Sequence, residues 1–213
     1  MADIPAALVM KLREATGAGM MDCKRALVDC DGDFERAKDR LRQTGAAKAE
    51  HKAGRSTNEG VIEAYVHAVG GMPAKVGVLV EVNCESDFVA KTDDFKRLAR
   101  ELALQVAGAE PLYVRPEDVP AGIVERERNV FRAQVEGKPE AMVEKIVEGK
   151  LAAFYAGVCL LEQPWIRDEK HKKRVKELVQ EAVAKLGENI TVARFVRYRV
   201  GESSPEGSGA AST

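Results

Sequence analysis

The sequence predicts an α+β protein: a small N-terminal three-helix bundle, a linker, and a core domain in which a small antiparallel sheet packs against helices. Three observations predict this class. Apolar residues recur at helical spacing over 3–45, alternate at strand spacing around a glycine-rich turn, and alternate again near the C-terminus. The expected division is therefore a bundle at 1–45, a linker at 46–58, a core domain at 59–200 and a disordered tail at 201–213.

The N-terminal segment predicts three short helices. Glycines mark the expected helix ends, at Gly17, Gly32 and Gly45. The second helix places Met20, Cys23 and Leu27 on one face, and Asp33 can cap the third. Helices this short bury little surface, so we expect a small bundle tethered by a polar linker, which can be helical in its first half.

A β-hairpin is predicted at the start of the core domain. Apolar residues alternate with other residues over 62–68 and again over 76–82, and Gly70, Gly71 and Pro73 lie between the two runs. Glycine and proline together are typical of a turn. The two runs are therefore expected to pair as antiparallel strands.

Helices and one more strand complete the predicted core. Amphipathic stripes predict helices at 95–106, 124–135, 142–146 and 175–186. The third is expected to stop before Gly149, and 158–161 suggests a short strand. The final strand, 190–200, is predicted to carry apolar residues on one side: Ile190, Val192, Val196, Tyr198 and Val200.

The composition favours a cytoplasmic protein without a nucleic-acid or membrane partner. The 213 residues include 33 basic and 34 acidic side chains, and aromatic residues make up 5%. Nucleic-acid binders usually present a net basic face and aromatic platforms, so such a partner is disfavoured. No segment approaches the roughly 18 apolar residues of a membrane helix, and no signal peptide is expected. The four cysteines are scattered, which predicts reduced thiols.

Patterns for enzyme or metal chemistry are incomplete. The chain has no G-x-x-x-x-G-K-[ST] loop of the kind that cradles nucleotide phosphates. Asp29, Asp31 and Asp33 have the spacing of calcium ligands, but Phe34 replaces the loop glycine and Arg40 replaces the bidentate glutamate. We therefore expect no cofactor, no metal ion and no catalytic residue.

Two alternative functions rest on other residues. The basic segment Lys170–Lys176 and the arginines of the final strand could contact RNA phosphates in an adaptor or RNA-associated protein. Solvated faces explain these charges better, because the net charge is only −1. A thiol enzyme using Cys84 or Cys159 would instead require a readily alkylated cysteine of low pKa.

The first candidate motif is the turn between the first two helices. Its residues are Thr16, Gly17, Gly19, Met20, Met21, Asp22 and Lys24. The glycines permit a tight turn or the close approach of a partner's backbone, and methionine adapts to a partner's apolar pocket. Local physics alone favours a structural turn, with Met20 and Cys23 entering the bundle core.

The second candidate motif follows the second strand of the hairpin and comprises Ser86, Asp87, Phe88 and Val89. Ser86 can cap a short helix, and Asp87 suits the positive N-terminus of that helix. Phe88 can fill the core beneath the hairpin or project as a wedge into a partner. The residues alone leave both roles for Phe88 open.

Taken together, the two motifs resemble signatures of the elongation factor Ts family. The resemblance rests on ATGAGMMDCKRAL at Ala15–Leu27, NCESDFVAK at Asn83–Lys91 and LEQPW at Leu161–Trp165, in the order of the family. It implies a ubiquitin-associated-like bundle followed by a dimerisation-type α+β core. It also implies a guanine-nucleotide exchange factor that binds GDP-bound elongation factor Tu, dislodges magnesium and promotes GDP release so that GTP can bind.

The resemblance assigns a role to each motif. Residues 86–89 would lie near the partner's magnesium site, and the turn within 16–24 would dock on the partner's nucleotide-binding domain. The chain departs from the family at Ser86, where a threonine is usual, and in having a single core module. Pairing of two chains, with the final strand as an exposed edge, is one way to compensate.

Overall fold

A computed structural model describes residues 4–68, 70–135, 137, 139–169 and 172–202. Within these ranges the α-helices are α1 (Ala6–Thr16), α2 (Met20–Asp29), α3 (Phe34–Lys52), α4 (Asp87–Ala90), α5 (Asp93–Ala109), α6 (Ala121–Ala133), α7 (Glu140–Val158) and α8 (Val175–Leu186). The strands are β1 (Glu59–His67), β2 (Val76–Cys84) and β3 (Ile190–Arg199). The predicted α+β class is confirmed. The predicted tail lies outside the described residues from 203 onward.

The first two helices form a small bundle with the start of α3. Leu12, Cys23 and Leu27 are fully buried at its centre. Gly17 ends α1 in the left-handed conformation, with φ of 67°, which costs glycine little because it has no Cβ. Asp33 caps α3 as expected, since its Oδ1 accepts a hydrogen bond from the Arg36 amide at 2.9 Å.

The predicted stop at Gly45 is wrong, because α3 continues to Lys52. A Cβ placed on Gly45 would lie 3.4 Å from the Cβ of Ala184 in α8, so these small residues lie where the two helices meet. Ala49, one turn further along α3, is buried in the main core. This packing outweighs the cost of about 1 kcal/mol for a glycine inside a helix. The first half of the predicted linker is therefore a packed helix, while the domain limits themselves stay a prediction.

The three strands form one antiparallel sheet in the order β1-β2-β3, which confirms the predicted hairpin. Val78, Val80 and Val82 of β2 point into the main core and are buried. Helix α5 packs against β1 and β2 and buries the apolar stripe predicted for it. The hairpin therefore holds the segment after Cys84 at one end of a well-packed sheet.

The final strand was predicted to carry its apolar residues on one side. This prediction is wrong. Ile190 and Val192 are buried in the core, whereas Tyr198 is exposed. The register of β3 on β2 shifts between Glu81 and Val82. Such a bulge adds one residue to a strand and exchanges its two faces. The second half of β3 thus presents Val196 and Tyr198 on the outer face of the sheet, whereas Phe195 packs against the core.

Helices α6 and α7 form a hairpin with a small core of its own. Val147 and Leu151 are buried in it on either side of Gly149. The predicted helix end before Gly149 is wrong, because these flanking contacts carry α7 on to Val158. The strand suggested at 158–161 is also wrong, since Cys159 forms a single bridge with Tyr113 and a 3-10 turn follows.

Candidate partner-binding site

Helix α4 is a single helical turn that is separated from the end of β2 by two residues. The Ser86 side chain caps it by accepting a hydrogen bond from the Val89 amide at 3.4 Å. Asp87 occupies the first turn, where its charge suits the helix N-terminus. Both features agree with the local expectation for these residues.

Phe88 projects from α4 into solvent. Its exposed fraction is 80%, whereas Ala90 is buried and Val89 packs against the main core. The core-filling interpretation of Phe88 is therefore wrong. A large apolar side chain held outward on an anchored helical turn is suited to insertion into an apolar pocket of another protein.

An ion pair holds the side of α4 that carries Phe88. The Lys91 Nζ lies 2.5 Å from the Asp87 Oδ2 and 6.0 Å from the centroid of the Phe88 ring. Hydrogen bonding to Lys91 lowers the pKa of Asp87, and the same contact raises the pKa of Lys91. Both side chains are therefore charged at neutral pH.

Glu188, which follows α8, binds the residues that lead into α4. Its Oε2 accepts hydrogen bonds from the Glu85 amide at 3.1 Å and the Ser86 amide at 3.0 Å. Its Oε1 accepts one from the Ser86 hydroxyl at 2.6 Å. Sequence reasoning missed Glu188, which lies 102 residues from Ser86. Its only local signal is its place after Gly187, the helix stop.

The turn between α1 and α2 combines structural and exposed residues. The Thr16 hydroxyl donates a hydrogen bond to the Leu12 carbonyl at 2.7 Å, and Gly19 precedes the first residue of α2. Met20 and Met21 are 41% and 68% exposed. The expectation that Met20 enters the bundle core is therefore wrong, although Cys23 does enter it.

The charged residues of this turn lie on its surface. Asp22 accepts a hydrogen bond from the Lys48 Nζ of α3 at 2.8 Å, and Lys24 is exposed. Through Asp22, the turn is fixed to α3. The methionines therefore stand on a supported surface beside exposed charge, an arrangement common in protein interfaces.

Lys185 of α8 connects the two candidate segments. Its side chain lies 3.3 Å from the place that a Cβ on Gly17 would occupy. Its Nζ bonds the Asp94 Oδ1 at 2.7 Å, in the first turn of α5, which directly follows α4. The N-terminal turn and the α4 segment are thus both supported by α8 and the residues around its end.

Comparisons with known proteins identify the family to which the chain belongs. The family model described as "Elongation factor TS" matches residues 47–202. The elongation factor Ts of Thermotoga maritima is 57% identical over 195 residues, which cover 92% of this chain and 95% of that protein. The chain belongs to the elongation factor Ts family.

Two further relatives show how completely the family likeness covers the chain. The elongation factor Ts of Carboxydothermus hydrogenoformans is 56% identical over 201 residues, covering 93% of this chain and 90% of the relative. That of Desulfosudis oleivorans is 54% identical over 204 residues, covering 95% of this chain and the whole relative. The N-terminal bundle and the core are therefore both included in the likeness.

In this member of the elongation factor Ts family, three cations of the basic segment form ion pairs with acidic side chains of the same chain. Arg174 and Lys176 both bind Glu162, at 2.5 and 2.9 Å, and Lys173 binds Glu181 at 2.5 Å. Burial of Glu162 opposes ionisation, but the two cations outweigh it and lower its pKa. Lys170 and His171 lie outside the described residues. These pairs weaken the RNA-binding alternative, since the same cations would have to bind phosphates.

The cysteines lack the properties of catalytic thiols. All four are buried. Burial raises the pKa of Cys84, and it raises that of Cys159 to about 11. A thiol enzyme requires the opposite shift and access to solvent. Among the described residues, no group of three or more His, Cys, Asp or Glu side chains is arranged to hold a metal ion.

Among the helices of the described ranges, none combines the length and the apolar character that crossing a membrane requires.

Proposed function

We propose that the chain is a guanine-nucleotide exchange factor of translation elongation that acts on elongation factor Tu. It binds the GDP-bound form, dislodges the magnesium ion and promotes GDP release so that GTP can bind. Membership of the elongation factor Ts family supports the partner and the reaction. The observation that carries the mechanism is the 80% exposure of Phe88 on an anchored helical turn.

The proposed mechanism uses no covalent chemistry. Phe88 inserts into an apolar pocket beside the partner's nucleotide site, and Asp87, fixed by Lys91, orients the wedge. Magnesium demands near-ideal octahedral coordination, so a small displacement of its surroundings weakens its binding strongly. An aromatic anchor in an interface contributes roughly 2–4 kcal/mol. One phenylalanine can therefore supply a large part of the coupling to GDP.

The N-terminal turn supplies the second contact in this proposal. Met20 and Met21 dock on the partner's nucleotide-binding domain, with Thr16, Gly17, Gly19, Asp22 and Lys24 forming and flanking the contact. Methionine suits this role, because its flexible side chain adapts to an apolar surface. Contacts made equally before and after GDP leaves strengthen binding without changing the maximal rate of release. The turn therefore governs affinity, and the wedge governs exchange.

Linkage provides a test of the proposal. If the factor weakens GDP binding, then GDP weakens binding of the factor by the same ratio. We expect the chain to bind nucleotide-free elongation factor Tu at least about tenfold more tightly than the GDP-bound form, which corresponds to about 1.4 kcal/mol of coupling. Isothermal titration of the two forms measures this ratio. Equal affinities would show that the chain binds without promoting exchange.

We also propose that the factor works in the cytoplasm and that two copies pair. The support for pairing is the outer face of the sheet, where β-ladder neighbours bring together exposed apolar side chains: Ile62, Val66, Leu79, Val196 and Tyr198. Exposed apolar patches of this kind mark interaction surfaces. A second copy presents the same face, so the two sheets can pack face to face around a two-fold axis.

A further inference from the structure

Hydrogen bonds fix the backbone of the turn that follows α8. Gly187 ends the helix in the left-handed conformation, with φ of 81°, and its amide bonds the Val183 carbonyl at 3.0 Å. The side chain of Asn189, two residues after Gly187, is buried and donates a hydrogen bond to the Arg55 carbonyl at 2.8 Å. Glu188, between them, therefore has a fixed backbone from which to reach the residues before α4.

The Glu188 carboxylate accepts hydrogen bonds from the two backbone amides that directly precede α4. The amides of Glu85 and Ser86 follow the end of β2 and precede the helix, where backbone partners are missing. One carboxylate oxygen accepts both amides. Hydrogen bonds to an ionised acceptor are about twice as strong as those between neutral groups. The lead-in to α4 is therefore fixed by the charge of a residue from a distant part of the chain.

The second carboxylate oxygen fixes the hydroxyl of the cap. The Ser86 hydroxyl has one proton, and that proton is donated to the Glu188 Oε1 at 2.6 Å. The hydroxyl oxygen can then offer its lone pairs only as an acceptor, which is the role that the Val89 amide requires. Glu188 thus orients the hydroxyl that caps the turn bearing Phe88.

We infer that Glu188 is a positioning residue for nucleotide exchange: it holds α4 in the orientation that presents Phe88. The inference rests on the proposed exchange function. A wedge that is already ordered does not lose conformational freedom when it inserts, so more of its binding energy reaches the partner. Because insertion belongs to the exchange step, loss of Glu188 lowers the maximal rate of GDP release and leaves the half-saturating concentration of factor unchanged.

Two variants of Glu188 and a matched control test the inference. Glu188→Gln keeps the shape of the side chain but loses one acceptor, and Glu188→Ala removes both. Glu177→Ala removes a carboxylate from α8, the helix that precedes Glu188, without touching α4. We expect the maximal rate to fall about tenfold in Glu188→Ala and by less in Glu188→Gln, with no change in the control. Circular dichroism with thermal unfolding identifies any variant that fails to fold, and Glu188→Gln then carries the comparison.

A double-mutant cycle with Phe88→Ala distinguishes positioning from a general loss of stability. If Glu188 acts through Phe88, Glu188→Ala has little further effect once Phe88 is gone. Hydrogen exchange in the free chain gives a second readout, in which the Glu85 and Ser86 amides exchange at least about tenfold faster in Glu188→Ala while the β2 amides do not change.

The outcomes separate the inference from the function on which it rests. A full maximal rate in Glu188→Ala, or an equal loss in the Phe88→Ala background, would overturn the positioning role while leaving exchange intact. If the unmodified chain fails to accelerate GDP release from an active cognate partner, the exchange function itself falls. In that case, faster amide exchange at residues 85–86 in Glu188→Ala shows only that the Glu188 carboxylate orders the residues before α4.

Discussion

Replacing Phe88 by alanine removes the proposed wedge and little else. Since Phe88 is 80% exposed, the free energy of unfolding should change by no more than about 0.5 kcal/mol. Burying a phenylalanine side chain fully is worth about 1.5–3 kcal/mol. Multiplying this value by the exposed fraction of Phe88 gives the contribution of insertion into a partner. It is roughly 1.2–2.4 kcal/mol, or about eightfold to sixtyfold in rate.

Stopped-flow release of a fluorescent GDP analogue from elongation factor Tu measures this loss, with the variant at saturating concentration. Leu112→Ala is a matched control, because Leu112 is also an exposed apolar residue, at 64%, on another part of the surface. We expect the control to keep the full rate. A Phe88→Ala variant that also keeps the full rate would refute the wedge and transfer the exchange role to the N-terminal turn.

Four further outcomes follow from the structure. Met21→Ser should raise the half-saturating concentration of factor several-fold without lowering the maximal rate, and a lowered maximal rate would contradict a docking role. Gly60→Ala should reduce the free energy of unfolding in urea by about 2–3 kcal/mol, because an added Cβ would lie 2.2 Å from the Val82 carbonyl oxygen. An unchanged midpoint of urea unfolding would show that this contact relaxes freely. Leu79→Glu should convert a dimer to a monomer in analytical ultracentrifugation, and a monomeric parent chain would refute the pairing. The pKa of Cys159 is raised to about 11, so its thiolate forms only well above pH 8. A thiol reagent at pH 8 should therefore modify the unfolded chain quickly and the folded chain slowly. Rapid reaction of the folded chain would contradict this burial.

Elements specified by local pattern were predictable from the sequence. The alternation around Gly70 and Gly71 gave the β1–β2 hairpin, and the stripe from Phe95 to Val106 gave α5, because both periods are read over a few neighbouring residues. Ser86 was also assigned correctly as a cap, since a serine before an acidic first turn is a local signal.

Features that depend on distant contacts were not predictable. Gly45 resembles a helix stop until Ala184 is packed against it, and the bulge in β3 depends on its pairing with β2. Phe88 is equally apolar in a core or on a surface, so its sequence context could not decide its exposure. Glu188 reaches Ser86 across 102 residues, and no short motif encodes such a contact.

The rate of GDP release from the cognate elongation factor Tu, with and without the unmodified chain, tests the central claim most directly. Acceleration that saturates with factor concentration and exceeds about tenfold, equivalent to about 1.4 kcal/mol of barrier, is the result expected of an exchange factor. An unchanged rate, with the chain folded and bound to an active partner, would contradict the proposed function.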